Sequence, residues 1–223
     1  LGSPGDFDDT HIFAPCVAFE NNIFSMWYCG SRGKNKLPLY ELGMATSKDG
    51  VNFIKHPQAP VLSLADKKCS ILTPTLLRYP NGSVCRENRK LRMWFSSLTV
   101  RSGKALYALH DTTSVDGLSW TTPSDAQLKN VYAPTIILEN GLYRMWYVDV
   151  SKKPWAIKYA QSNNGSKWHV YRKTVMTIDQ KWEHKRLFYP TVLKSNDLYL
   201  MWYGSYEKSA QTALGFAVSK DGI

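Results

Sequence analysis

The sequence predicts an all-β chain, a β-propeller of four-stranded antiparallel blades, on three observations. A Pro-led run of apolar residues closing on Met-Trp-Tyr or Met-Trp-Phe occurs four times. The copies are Pro15 with Met26-Trp27-Tyr28, Pro74 with Met93-Trp94-Phe95, Pro134 with Met145-Trp146-Tyr147 and Pro190 with Met201-Trp202-Tyr203. A turn of the form Ser-x-Asp/Asn-Gly trails each copy, at Ser47–Gly50, Ser114–Gly117, Ser162–Gly165 and Ser219–Gly222. No stretch shows capped helical periodicity. The prolines are spaced by 59, 60 and 56 residues. Two motifs that recur in one order at a near-constant period define a structural repeat. Four short strands per repeat bury their faces by radial stacking.

Within the first repeat, strand A is expected at about His11–Phe19, strand B at Ile23–Cys29, strand C at Tyr40–Thr46 and strand D from Phe53 to Leu62. Glu20-Asn21-Asn22, Glu139-Asn140-Gly141 and Ser195-Asn196-Asp197 are the A–B turns, because Asn and Gly tolerate left-handed backbone. The second repeat inserts a longer polar loop, Tyr79–Lys90. In the Ser-x-Asp-Gly turns the Asp can bond its own backbone and the Gly supplies positive φ. The whole chain, 1–223, is expected to be one propeller domain with blades at about 9–62, 69–122, 129–178 and 184–223. Leu1 matches the end of a fourth strand and Ile223 the point where another should begin, so both ends read as trimmed.

Composition narrows the function. No run reaches 18 apolar residues, which argues against a membrane span, and the first residues lack the basic start and apolar segment of a signal peptide. A soluble protein, cytoplasmic or secreted, is expected. The four cysteines have no metal-like spacing and are expected to be buried free thiols. No metal or cofactor motif is present. The net charge of +10 suits an anionic ligand, and the lysines and arginines are spread rather than gathered in an arm, so nucleic acid is the weakest reading of that charge.

Residues that break the repeat are the site candidates, since scaffold must repeat and a site need not. Four positions before each Pro the column is polar and unlike: His11, Ser70, Asn130 and Arg186. Strand alternation gathers these starts with the D-to-A connections and B-to-C loops on one upper face. Asp8, Asp9, Glu183 and His184 lie just above, and the B-to-C loops add Arg32, Lys34, Asp149, Lys152, Glu207 and Lys208. A ring of unlike polar residues at a channel mouth is what a ligand site requires. His110-Asp111 departs from Gly43-Met44 and Gly215-Phe216 in its column, and is expected to be a hydrogen-bonded structural pair.

Pro-x-Val followed by Met-Trp-Tyr, a Gly one or two residues on, and Ala-x-Ser-Lys-Asp-Gly, seen in Pro15–Gly50 and Pro190–Gly222, resembles the five-bladed β-propeller glycosidases of glycoside hydrolase families 43, 32, 68 and 130. The resemblance implies a five-bladed ring and sugar chemistry in a central funnel, with one carboxylic acid protonating the leaving oxygen and a second carboxylate as base or nucleophile. Family 43 enzymes carry an acidic residue at or near the position before the strand A Pro; here those positions are Ala14, Thr73, Ala133 and Tyr189. The carboxylates on the upper face are then the catalytic candidates: Asp9 as base or nucleophile, Glu183 beside Trp182 as general acid, and Asp149. Asp8, His11, Arg32, Ser70, Asn130, His184, Arg186 and Glu207 would bind substrate, an oligosaccharide with or without anionic groups. The competing reading is a propeller that binds carbohydrate or protein without catalysis.

Overall fold

The computed structural model describes residues 1–33, 38–183, 185–207 and 212–223; Lys34, His184 and Lys208, three of the predicted rim residues, lie outside them. Four antiparallel sheets follow the four repeats. The first contains β1 (His11–Glu20), β2 (Ile23–Ser31), β3 (Tyr40–Ser47) and β4 (Ile54–Lys55) in that spatial order. The second contains β5 (Cys69–Leu76), β7 (Lys90–Arg101), β8 (Lys104–Ser114) and β9 (Leu128–Lys129), with β6 (Arg86–Glu87) beside β7. The third is β10 (Val131–Glu139), β11 (Leu142–Asp149), β12 (Ala156–Ser162) and β13 (His169–Val170), and the fourth is β14 (Leu187–Ser195), β15 (Leu198–Tyr206) and β16 (Thr212–Ser219).

Strands A to C match their expected positions. The long strand D from Phe53 to Leu62 does not form: pairing there is limited to β4 and an isolated bridge between Leu42 and Leu62. Pro57 and Pro60 fall within that span, and proline cannot donate to a ladder. Leu1 is in no strand. Residues 4–10 form turns and bends, and Phe7 is buried against Tyr28 and Ala45 of the first blade.

Every inner strand bulges at its Pro, between Phe13 and Cys16, Leu72 and Thr75, Tyr132 and Thr135, and Phe188 and Thr191. Proline lacks the N–H that the ladder needs, and an added residue absorbs the mismatch. The residue before it pays in conformation: Ala14, Thr73, Ala133 and Tyr189 have φ of 52°, 48°, 47° and 50°. Left-handed backbone costs a side chain-bearing residue about 1 kcal/mol or more. Its recurrence in all four blades marks it as imposed by the fold.

The core lies between blades. One apolar cluster joins Trp27 and Leu42 to Ile71, Met93 and Phe95; a second joins Trp94 and Leu109 to Ile136 and Met145; a third joins Trp146 and Ile157 to Val192 and Met201. The two sequence motifs meet at these seams. The indole N–H of Trp27 donates to the Gly117 carbonyl (2.8 Å), Trp94 to Gly165 (3.0 Å) and Trp146 to Gly222 (2.6 Å). A Cβ on Gly117, Gly165 or Gly222 would stand 2.6–2.9 Å from the indole of the preceding blade. So the turn glycine is required twice, for its positive φ and for this approach.

The series stops at the fourth blade. No indole–glycine bond joins Trp202 to Gly50, and the nearest atoms to a Cβ on Gly50 belong to Phe24 of its own blade. Leu214, Phe216 and Val218 of β16 are 76%, 55% and 51% exposed. Phe19 and Ile54 of the first blade are likewise exposed.

The turns also govern the acid response. The Asp49 carboxylate accepts the Asn52 and Val51 N–H groups, and Asp116 those of Ser119 and Leu118. These bonds hold both carboxyls well below the usual Asp range. A depressed folded pKa contributes stability that is complete above the unfolded value near 4 and is lost as pH falls through the folded one. The melting temperature should therefore hold between about pH 7 and 5 and fall below about 4. Asp116→Asn should flatten that acid limb in a thermal-melt series, since Asn164 occupies the same slot in the third blade and accepts the same bonds. An acid limb unchanged in that variant would refute the assignment.

Candidate functional site

The four bulges wall a central cavity of about 720 Å³, lined by Ala14-Pro15-Cys16, Thr73-Pro74-Thr75, Ala133-Pro134-Thr135 and Tyr189-Pro190-Thr191. Its lower end is crossed by the segment that the second repeat inserts. Arg78 pairs with Ile137 of the third blade, and the Leu138 N–H donates to the Arg78 carbonyl (2.7 Å). The Pro80 carbonyl accepts the Lys194 N–H of the fourth blade (2.7 Å), and the Arg78 guanidinium donates to the Val17 carbonyl of the first (2.6 Å). Arg78 and the turn that follows it, Tyr79–Ser83, thus tie all four inner strands together beneath the cavity.

The upper mouth is aromatic. Tyr132 and Tyr189 share a hydrogen bond through their hydroxyls (2.8 Å), and Tyr132 also stands 5.7 Å from Tyr107 and 5.9 Å from Trp155. Burial raises the pKa of Tyr132, Tyr189 and Tyr107, so all three hydroxyls stay protonated. Opposite them His11 stacks on Phe13 (5.4 Å) and meets the Tyr40 hydroxyl through Nδ1 (2.9 Å). Arg186 lies over Trp155 (4.9 Å) and Tyr206 (5.2 Å) and donates to the Tyr206 hydroxyl (3.0 Å). Arg186 is half-buried and forms no ion pair with any carboxylate of the described residues. The positions outside them, 34–37, 184 and 208–211, carry no Asp or Glu.

The predicted carboxylates are each held by hydrogen bonds or ion pairs. Glu183 is 1% exposed and accepts from the Asp179 N–H (2.7 Å), the Gln180 N–H (2.9 Å) and the Tyr203 hydroxyl (2.7 Å). Burial pushes its pKa up, but these hydrogen bonds outweigh burial and the net shift is downward. Asp8 is its repeat counterpart: each lies seven residues before the repeat Pro and caps the Tyr of its own Met-Trp-Tyr. Asp8 accepts from Tyr28 (2.7 Å) and pairs with Lys55 (3.0 Å). Asp9 accepts from the Thr10 hydroxyl (2.7 Å) and the Gly5 (2.9 Å) and Gly33 (3.1 Å) N–H groups, which lower its pKa. For Asp149 burial again raises the pKa, and bonds from Ser151 together with Lys158 (3.0 Å) overcome it. Glu207 pairs with Lys185. Among the described residues, no Asp or Glu lines the central cavity.

The remaining rim residues divide. Ser70 is buried and accepts the Tyr40 N–H (3.2 Å), fastening the first blade's B-to-C loop to the second blade. Asn130 is exposed in left-handed backbone (φ 61°), and Arg32 is an exposed partner of Glu41 (3.4 Å). The structure brings His11 and Arg186 to the aromatic mouth. Sequence reasoning missed Tyr107, Trp155 and Tyr189. The available signal for Tyr189 was its bulk in a column otherwise filled by Ala14, Thr73 and Ala133.

No protein-family profile matches the chain. An uncharacterized protein of Mycobacterium tuberculosis is 25% identical over 232 residues, spanning 97% of this chain and 74% of the relative, in strains H37Rv and CDC 1551 / Oshkosh alike. Among solved structures, BT0996 in its RGII complex superposes with a TM-score of 0.79 at 16% identity, covering 99% of this protein and 73% of that one. A glycosyl hydrolase from Bacteroides ovatus gives a TM-score of 0.69 at 14% identity, over 97% and 69%. A protein of the GH130 family, whose glycoside hydrolases target β-1,2-mannosidic linkages in Candida mannan, gives 0.67 at 13%, over 96% and 67%. At these identities the likeness establishes the fold. No helix among the described residues is long and apolar enough to cross a membrane.

Proposed function

We propose that this chain binds an anionic saccharide at the upper mouth of a propeller of glycoside-hydrolase architecture. The observation that carries the reading is Arg186, held between Trp155 and Tyr206 without a carboxylate partner at the rim of an aromatic pocket. Aromatic faces pack on the apolar faces of sugar rings, and a guanidinium fork matches a carboxylate with two parallel hydrogen bonds. His11 and the Tyr132–Tyr189 hydroxyl pair supply partners for sugar hydroxyls. Titration of galacturonate oligosaccharides, with their carboxyl-reduced galactose counterparts as controls, tests this. Arg186→Met should weaken the acidic ligands by at least tenfold, as loss of a charge-assisted pair of about 1.5–3 kcal/mol requires. Equal affinity for acidic and neutral oligosaccharides, or an unaffected variant, would overturn it.

The hydrolytic reading rests on the glycoside-hydrolase neighbours and on Asp9 and Asp149, the predicted catalytic carboxylates that are only partly buried. It requires two facing carboxyl groups about 5–9.5 Å apart, one protonated at working pH. The hydrogen bonds of Glu183 favour its ionised form, so a structural cap suits it better than the role of general acid. Chromatography of the same oligosaccharides after prolonged incubation separates the readings. Released sugar that vanishes in Asp9→Asn or Asp149→Asn supports hydrolysis.

We infer, too, that residues 1–223 belong to one propeller domain whose ring takes a fifth blade between the fourth and the first. Trp202 lacks a following glycine turn, Gly50 lacks a preceding indole, and the facing strands are apolar and exposed. A blade carrying both motifs would supply each missing partner.

A further inference from the structure

His110 and Asp111 are both hydrogen-bonded, as the sequence led one to expect, but to different partners on opposite faces of the blade. Consecutive strand residues point to opposite faces, and Asp111 bonds Arg92 (2.7 Å) and Gln127 (2.6 Å). His110 instead lines a second cavity, of about 640 Å³, on the upper part of the second blade. Ser97 lines the same cavity and is its diagonal neighbour across the ladder, since Ser97 pairs with Ala108 and Phe95 with His110. The Ser97 hydroxyl lies 2.9 Å from His110 Nε2, and His110 Nδ1 lies 2.8 Å from the Ser124 carbonyl oxygen. A carbonyl only accepts, so Nδ1 carries a proton, and in the neutral imidazole Nε2 accepts from Ser97. The Phe95 ring, stacked at 5.5 Å, holds the imidazole in place. A hydroxyl, a base aimed at it and an acceptor fixing that base form the arrangement that activates a serine.

The geometry points to Ser97 and His110 as the nucleophile and base of a second site, one that hydrolyses small carboxylic esters bearing negative charge. Lys67, Arg101 and Lys129 line this cavity against a single carboxylate, Asp125, and its volume suits a small organic ligand. Ser97 Oγ adds to the ester carbonyl carbon as its proton passes to His110 Nε2. The carbonyl carbon–alkoxy bond then breaks, and that proton leaves with the alcohol. Water, giving its proton to the same nitrogen, attacks the acyl-serine, and the carboxylic acid departs as Ser97 recovers its hydrogen. This cavity borders the aromatic mouth at Tyr107, but Ser97 and His110 touch neither Arg186 nor the central cavity, so the esterase test is independent of the saccharide reading.

The test is applied to the intact chain. A fluorophosphonate probe should leave one adduct, on Ser97, in peptide mass spectrometry of the folded wild type. Mono-4-nitrophenyl succinate should be hydrolysed faster than 4-nitrophenyl acetate, because the cavity lining is cationic. Ser97→Ala should return the rate to the buffer background, and His110→Gln should lower it by about 100-fold or more. Wild-type chain that forms no adduct at Ser97 overturns the proposal even where a variant fails to fold. So does a folded His110→Gln chain that keeps its rate within about twofold, because a merely structural pair would behave that way.

Discussion

Replacing Trp94 with alanine is expected to lower the unfolding free energy by about 3–5 kcal/mol, the usual cost of deleting a buried aromatic side chain. The indole is fully buried, donates to Gly165 of the next blade and carries the Arg92 guanidinium over its face at 4.5 Å. Tyr143 and Trp168 meet it edge-on at 6.1 Å and 6.4 Å. The cavity left behind would open the seam between the second and third blades. Trp202→Ala offers the comparison, because this residue holds the same place in the fourth blade but is half-buried and bonds no following glycine. Its loss should cost about 1–2 kcal/mol, in keeping with partial apolar burial alone. Chemical denaturation of both variants measures the difference. Equal costs would contradict the open edge described for the fourth blade, and with it the proposed place of a fifth.

Arg92→Met is expected to destabilise by a comparable amount, about 3–5 kcal/mol, through charges left unpaired. The guanidinium pairs with Asp111 (2.7 Å) and Glu87 (3.2 Å), and reaches the Asn164 carbonyl (2.9 Å) and Ser166 hydroxyl (2.8 Å) of the third blade. Its side chain is 11% exposed. Methionine keeps the volume and removes every one of these donors. Arg92→Lys should recover little, since an ammonium cannot span four acceptors in a plane. The double variant Arg92→Met, Asp111→Leu should recover part of the loss, because it also removes one stranded carboxylate. Additive losses in that cycle would show that Arg92 and Asp111 are not coupled. The same device recurs one blade on, where Glu139 pairs with Arg144 (2.8 Å) and Lys194 (2.6 Å) and accepts from the Tyr199 hydroxyl.

The scaffold was legible because each of its signals is local and repeated. The Met-Trp-Tyr strand and the Ser-x-Asp-Gly turn each act within about ten residues, and four copies expose them against a variable background. Strands A, B and C followed from turn chemistry and apolar periodicity to within one or two residues. Strand D did not, because its edge is fastened to the blade at isolated points such as Leu42 with Leu62. Periodicity carries no trace of such a contact.

The site was legible only in part. The polar column before the prolines led to His11 and Arg186 at the mouth, since position along a repeat fixes height in the propeller. What it could not supply was the pairing of each side chain. Asp8 and Glu183 look like free loop acids in the chain, yet each is buried under a tyrosine hydroxyl 20 residues away. Closure of the lower channel depends on Arg78 and Pro80 reaching blades up to 114 residues distant, and the seam under Trp94 on Gly165, 71 residues on. By itself the sequence determined the repeat and strands A to C of its blades, because those rest on short-range backbone chemistry. Only the tertiary structure decided which charges remain available for a ligand. A charge is neutralised by whichever partner the ring brings beside it, and that distance is set by stacking between blades.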